Sequence, residues 1–243
     1  MNNWLVSGLV ISLMSGAAFA NEQAPQQQKS WSADAELGGT ITTGNTETST
    51  IKAKINAVHS IIDWKNQYFA DVLYSEDEDG KTASRWKIGA KGNYILDDVS
   101  SIFVLADYEQ DQFSDYDSVS SFATGYSRRI FHNDTSFLDG DIGPGMKFFD
   151  LKQGPSEKTG ILHIGLTYQN KLSDTSTFTQ SIVSDVAFEA EKSSLTRSET
   201  SITANIVGEL AMKIGFIVRH DNYPGLDKEK IDTETTITLL YSF

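Results

Sequence analysis

The chain has no cysteine and only four prolines among its 243 residues. Without cysteine no disulfide can staple the fold, so stability has to come from another source such as a closed ladder of backbone hydrogen bonds. Scarce proline fits that source, because each proline in a strand removes one ladder donor. Beyond Met14 no apolar run approaches the roughly 20 residues of a spanning helix. Any insertion into a membrane must therefore be by barrel. Basic residues are also in deficit, 20 Lys and Arg against 33 Asp and Glu, for a net charge of −13. That balance excludes nucleic acid as a partner, since binding it requires a basic face.

The first twenty residues carry no charged side chain, hold an apolar run from Trp4 to Met14 and close with Ala18-Phe19-Ala20. The small-x-small ending marks residues 1–20 as a secretory signal peptide, and the run is too short for a membrane anchor. Residues 21–30 are polar and without period, a flexible periplasmic leader.

From Trp31 onward the chain reads as twelve alternating runs, over 31–42, 48–62, 67–75, 83–95, 101–110, 119–131, 136–148, 160–170, 176–189, 194–207, 210–220 and 231–243. Each suits the about 9–11 residues of a tilted membrane strand. The expected fold is therefore all-β: residues 31–243 form a transmembrane antiparallel up-and-down β-barrel of about twelve strands. The even count returns the chain to its side of entry, the periplasm. Short turns after even runs and longer, charged loops after most odd ones predict the same orientation.

The last run shows the pattern most clearly. Phe243, Tyr241, Leu239 and Ile237 alternate with Ser242, Leu240, Thr238, Thr236, Glu234 and Asp232, one face for lipid and one for water. An end on Tyr241 and Phe243 resembles the signal by which the barrel-assembly machinery recognises outer-membrane barrels. Elsewhere the aromatics fall at run ends: Trp31, Trp64, Tyr68, Tyr94 and Tyr241 are expected in the periplasmic girdle, and Tyr74, Trp86 and Tyr108 in the outer one.

The opposite face of the runs is ionic. Its candidates are Asp34, Glu36, Lys52, Lys54, Asp71, Lys87, Lys91, Asp107, Glu109, Asp139, Asp141, Asp185, Arg197, Glu199, Lys213, Arg219, Asp232 and Glu234. A soluble sandwich core could not bury so many charges, whereas a hydrated lumen can hold them. If Thr42 lies opposite Thr48, Glu36 faces Lys54. Barrel closure then brings Asp34, Glu36, Asp232 and Glu234 onto one acidic wall, flanked by Lys52 and Lys54 on one side and Lys213 and Arg219 on the other. The sixth run breaks the pattern: Phe122, Thr124 and Tyr126 point to lipid, but so then does Arg128, by snorkelling or past a bulge.

Chemistry finds little support. An acyl-transferring barrel needs a histidine with serine two places on, and His59, His132, His163 and His220 all lack it. His220-Asp221 could only mimic the rim of a barrel protease. Glu76-Asp77-Glu78-Asp79-Gly80 lacks the ligand spacing of a calcium loop, although weak divalent bridging to lipopolysaccharide phosphates is open to it. No cofactor motif is present.

Leu37-Gly38-Gly39-Thr40 leading into Thr43-Gly44-Asn45-Thr46-Glu47-Thr48, then Trp86-Lys87-Ile88-Gly89 and the Tyr241-Ser242-Phe243 end, carry a family likeness. Over nearly the whole chain after the signal, the sequence resembles the YdiY-like, salt-induced outer-membrane proteins, whose shared domain is of unknown function. The resemblance implies an outer-membrane location among lipid and lipopolysaccharide, and a link to salt or osmotic stress, but no catalytic residue. Three readings follow: a narrow passive pore for small hydrophilic solutes or ions, a structural or stress barrel whose lumen is plugged by salt bridges, and an outer-membrane hydrolase.

Overall fold

The computed structural model describes residues 30–42, 48–114, 116–224 and 229–243. The expected signal peptide, most of the leader and the 43–47 connection lie outside the described residues. Twelve strands follow one another: β1 (Trp31–Thr42), β2 (Thr48–Ile61), β3 (Trp64–Asp77), β4 (Gly80–Ile95), β5 (Ser100–Asp111), β6 (Tyr116–His132), β7 (Ser136–Leu151), β8 (Glu157–Lys171), β9 (Ser176–Ala187), β10 (Leu195–Val207), β11 (Leu210–Asp221) and β12 (Ile231–Ser242). Each pairs antiparallel with its neighbours, and β12 pairs with β1, so the sheet is a closed barrel without an edge. No helix of the described residues is long and apolar enough to cross a membrane.

Most strands run past the expected limits, chiefly at the end away from the termini. The stretch Glu76 to Lys81, read from the sequence as a loop, is mostly ladder: β3 reaches Asp77 and β4 starts at Gly80. Strand pairing needs only backbone partners, so it continues where side-chain alternation gives out. The longer turns at the terminal end are braced by their own side chains. Asn133 Oδ1 accepts from the Thr135 and Ser136 amides at 3.0 and 2.8 Å. Asp97 Oδ1 accepts from the Val99 amide at 2.9 Å, and this bond holds the Asp97 carboxyl below its ordinary pKa.

Side-chain alternation sorts the two faces. Ile88, Leu239 and Ile237 are 50, 51 and 62 % exposed on the outer wall, while Lys52, Lys147 and His163 are buried inside. This is a soluble protein turned inside out, and only lipid makes such a surface stable. Aromatic pairs sit at its margins. Trp31 stacks on His59 (4.1 Å) and packs near Tyr68, Trp64 meets Tyr94 at 5.3 Å, and Tyr241 meets Phe243 at 4.8 Å, all at the terminal end. Trp86 meets Tyr108 at 5.2 Å towards the other end, where Lys81 lies over the Tyr74 ring.

The sixth strand resolves simply. Phe122, Tyr126 and Arg128 all face out and are exposed, and the register shift comes after Arg128, between Arg129 and Phe131. Arg129, the last residue in register before that shift, points inward opposite Asp139, bonds its carboxylate and lies over the Phe137 ring, 4.4 Å from its centroid.

Candidate functional site: the charged lumen

The register between β1 and β2 places Glu36 opposite Lys54. The row continues sideways through four strand pairs, Lys54 facing Asp71, Asp71 facing Lys87 and Lys87 facing Glu109. Charge therefore alternates around nearly half of the wall. Facing opposite charges in an antiparallel pair contribute about 0.2–1 kcal/mol each. Lys87 uses both neighbours on β5, Asp107 at 2.9 Å and Glu109 at 3.7 Å.

Across the closing seam the pairs are longer in reach. Lys52 on β2 passes over Gly38 of β1 to Glu234 on β12, Nζ to Oε1 2.5 Å. Glu234 also accepts from Arg219 of β11 and from Arg85 of β4, each at 3.2 Å. Because β4 lies four strands from β12, the Arg85 contact spans the lumen. Lys213 on β11 passes over β12 to Glu36 at 3.1 Å and bonds Glu199 at 3.0 Å. Glu199 holds Arg197 at 2.8 Å. Asp34 accepts instead from the Ser242 hydroxyl at 2.6 Å, and Asp232 is exposed at the rim in register with Arg219. The flanking cations and the acidic wall are thus interlocked, not held apart as the expected transverse separation requires. Long side chains reach across a narrow barrel to offset the cost of leaving bulk water.

On the far wall, Asp185 of β9 binds Lys147 of β7 and His163 Nδ1 of β8, both at 2.7 Å. The His163 ring packs 5.6 Å from Phe103, across from β5. Among the described residues its one side-chain hydrogen-bond partner is the Asp185 carboxylate. Lys91 lies over the Phe103 ring at 5.0 Å and bonds Asp141 at 2.5 Å. Phe103, Ile161 and Ile217 point inward by parity and are buried to 1 % or less.

Exposure inside the barrel is uneven. At the loop-end vestibule Arg197 and Glu109 are 38 and 33 % exposed, and towards the terminal end Arg129 and Asp139 are 34 and 38 %. Lys87 at mid-strand is 34 %, whereas His163 is 5 % and Lys52 and Lys147, each four residues from the loop end of its strand, are 7 and 6 %. Sequence reasoning missed Arg85, Lys147 and the inward Phe103, Ile161 and Ile217. Strand parity would have found Arg85 and Lys147, each an even number of residues from a named lumen charge (Lys87 and Asp141). The apolar three were hidden by the assumption that every apolar residue in a strand faces lipid. At the loop end, Glu76 accepts from the Tyr74 hydroxyl at 2.7 Å. Among the described residues no three His, Cys, Asp or Glu groups are set to hold a metal.

An apolar outer wall closed around a charged interior defines a transmembrane β-barrel of the outer-membrane type. Residues 35–243 match the family described as "Protein of unknown function, DUF481", and the chain belongs to that family. It is similar to the uncharacterized protein YdiY of Escherichia coli (strain K12), 22 % identical over 221 residues that cover 88 % of this chain and 84 % of YdiY. Among solved structures it is similar to the NanC porin, with TM-score 0.53 and 10 % identity over 86 % of this chain and 98 % of that one. It is also similar to the COG4313 outer membrane channel of Pseudomonas putida F1, TM-score 0.52 and 6 % identity over 88 and 94 % of the two chains. At such identities these likenesses establish the fold.

Proposed function

We propose that the chain is exported by its N-terminal signal to the outer membrane, where it passes small hydrophilic solutes or ions through a narrow lumen and catalyses nothing. The loop end faces outward, among lipopolysaccharide, and the Tyr241 to Phe243 end serves recognition by the assembly machinery. The observation that carries the reading is the ionic inner wall, on which Arg197, Lys87, Glu109, Arg129 and Asp139 point away from lipid and are still a third or more exposed. A structural barrel has no need of solvent-accessible charges inside, whereas a permeation path requires them. The proposed link to salt stress has a physical basis in the rim charges, whose interactions are screened as ionic strength rises.

The burial of Lys52, Lys147 and His163 favours a second reading, a barrel kept shut by its ion pairs. Planar-bilayer recording separates the two. The wild-type protein is expected to conduct, and neutralising Lys52, Lys54, Lys213 and Arg219 together is expected to shift its selectivity towards cations. A silent wild type that conducts only after these residues are neutralised would establish the plug instead.

A further inference from the structure

Two arginines face each other directly in the loop-end vestibule: Arg197 of β10 lies opposite Arg219 of β11. Like charges in facing positions repel, so a barrel free to vary has reason to avoid the pair. A third arginine joins them from the other wall, Arg85, and both Arg85 and Arg197 lie near enough to act electrostatically on Arg219. Their carboxylate partners are shared. Arg85 and Arg219 divide Glu234 with Lys52, and Arg197 divides Glu199 with Lys213. Asp111 stands at 3.9 Å from Arg85, at the limit of an ion pair.

Three guanidiniums carry far more N–H donors than these contacts occupy. Arg197 Nε is the one buried side-chain polar atom without a hydrogen-bond partner among the described residues. The Arg197 side chain as a whole is 38 % exposed, so there is room next to it, though not at Nε. Val183 of β9, directly opposite Arg197 on its other side and inward by parity, is 38 % exposed.

We propose that Arg85, Arg197 and Arg219 form a binding site for a small oxyanion, the carboxylate or phosphate group of a hydrophilic solute entering from the loop end. The planar forks of arginine suit the paired oxygens of such a group, which lysine engages only as a point charge. A bound oxyanion supplies acceptors for guanidinium N–H groups that the carboxylates leave unoccupied and relieves the repulsion between the facing arginines. The site names the solute class of the pore proposed above and rests on that reading for its transport role, but binding itself needs no current.

The test is calorimetric titration of the refolded full chain in detergent with inorganic phosphate and, separately, with acetate, at constant ionic strength. Wild-type protein is expected to bind phosphate saturably. Arg197→Lys and Arg219→Lys, which keep the charge and should still give the compact unheated band on SDS gels, are expected to bind at least tenfold more weakly. Lys171→Gln, at the terminal end, should leave binding unchanged. Absence of saturable heat with either anion, or equal affinity in wild type and the folded lysine variants, overturns the site. An electrically silent barrel that still binds phosphate upholds the site and fails the pore; a conducting barrel indifferent to phosphate does the reverse.

Discussion

Refolding of a Gly143→Ala variant into detergent or lipid is expected to yield little or no compact barrel. A Cβ built on Gly143 comes 2.0 Å from the Thr124 carbonyl oxygen and 2.6 Å from the Gly125 Cα, and one on Gly125 comes 2.1 Å from the Ile142 carbonyl. All are backbone atoms, so no flexible side chain can give way. The two glycines let β6 and β7 press together next to Pro144, which has no N–H to donate to the ladder. Forcing the strands apart costs more than the about 1–3 kcal/mol of ordinary overpacking, because the closed barrel transmits the displacement to other strands. Gly140→Ala is the matched control three residues away. Its Cβ comes 3.0 Å from the Ile130 Cδ1, the far end of a flexible chain, and 3.5 Å from the Leu166 Cδ2, an ordinary contact, and the change should be tolerated. The measurement is the fraction of protein whose gel mobility shifts on heating in SDS. Normal recovery of Gly143→Ala would show that the close approach is dispensable.

Much of this barrel is legible in the sequence because lipid imposes a strict period of two. Ile237, Leu239 and Tyr241 must face out, and that alone turns Glu234, Thr236 and Thr238 inward. The Glu36 to Lys54 register follows from a single hairpin assumption, since every pair in an antiparallel ladder is set once one pair is set. Strand ends are harder to read. Outside the membrane both faces meet water, so Glu76 and Asp77 carry no alternation even though they are paired. Contacts across the lumen are harder still. Arg85 and Glu234 are 149 residues apart and four strands apart, and their meeting depends on strand tilt and stagger, which no local pattern encodes. The same geometry seats Phe103 against His163, an inward apolar contact that the pattern of charges does not announce.

Glu234 is where those cross-barrel contacts converge, and Glu234→Gln is expected to have the largest effect of any substitution of a single lumen charge. Its carboxylate is 16 % exposed and answers three cations on three different strands, Lys52, Arg85 and Arg219. Glutamine keeps the shape and can still accept a hydrogen bond, but leaves those cations facing one another with one negative charge fewer. Breaking a buried ion pair from one side costs about 3–5 kcal/mol, and here the charge removed serves three partners. Asp111, 3.9 Å from Arg85, takes up only part of the loss. Two consequences follow together. Thermal unfolding of the refolded barrel should begin at a lower temperature, and the vestibule, now more positive, should favour anions more than wild type does. Adding Lys52→Met to Glu234→Gln removes one of the stranded cations. The double variant should therefore recover part of the stability lost by the single one, a non-additivity that a thermodynamic cycle over the four proteins measures. If Glu234→Gln unfolds within about 0.5 kcal/mol of wild type, the carboxylate is not the hub of the lumen and the interior is held by its buried apolar residues, Phe103, Ile161 and Ile217.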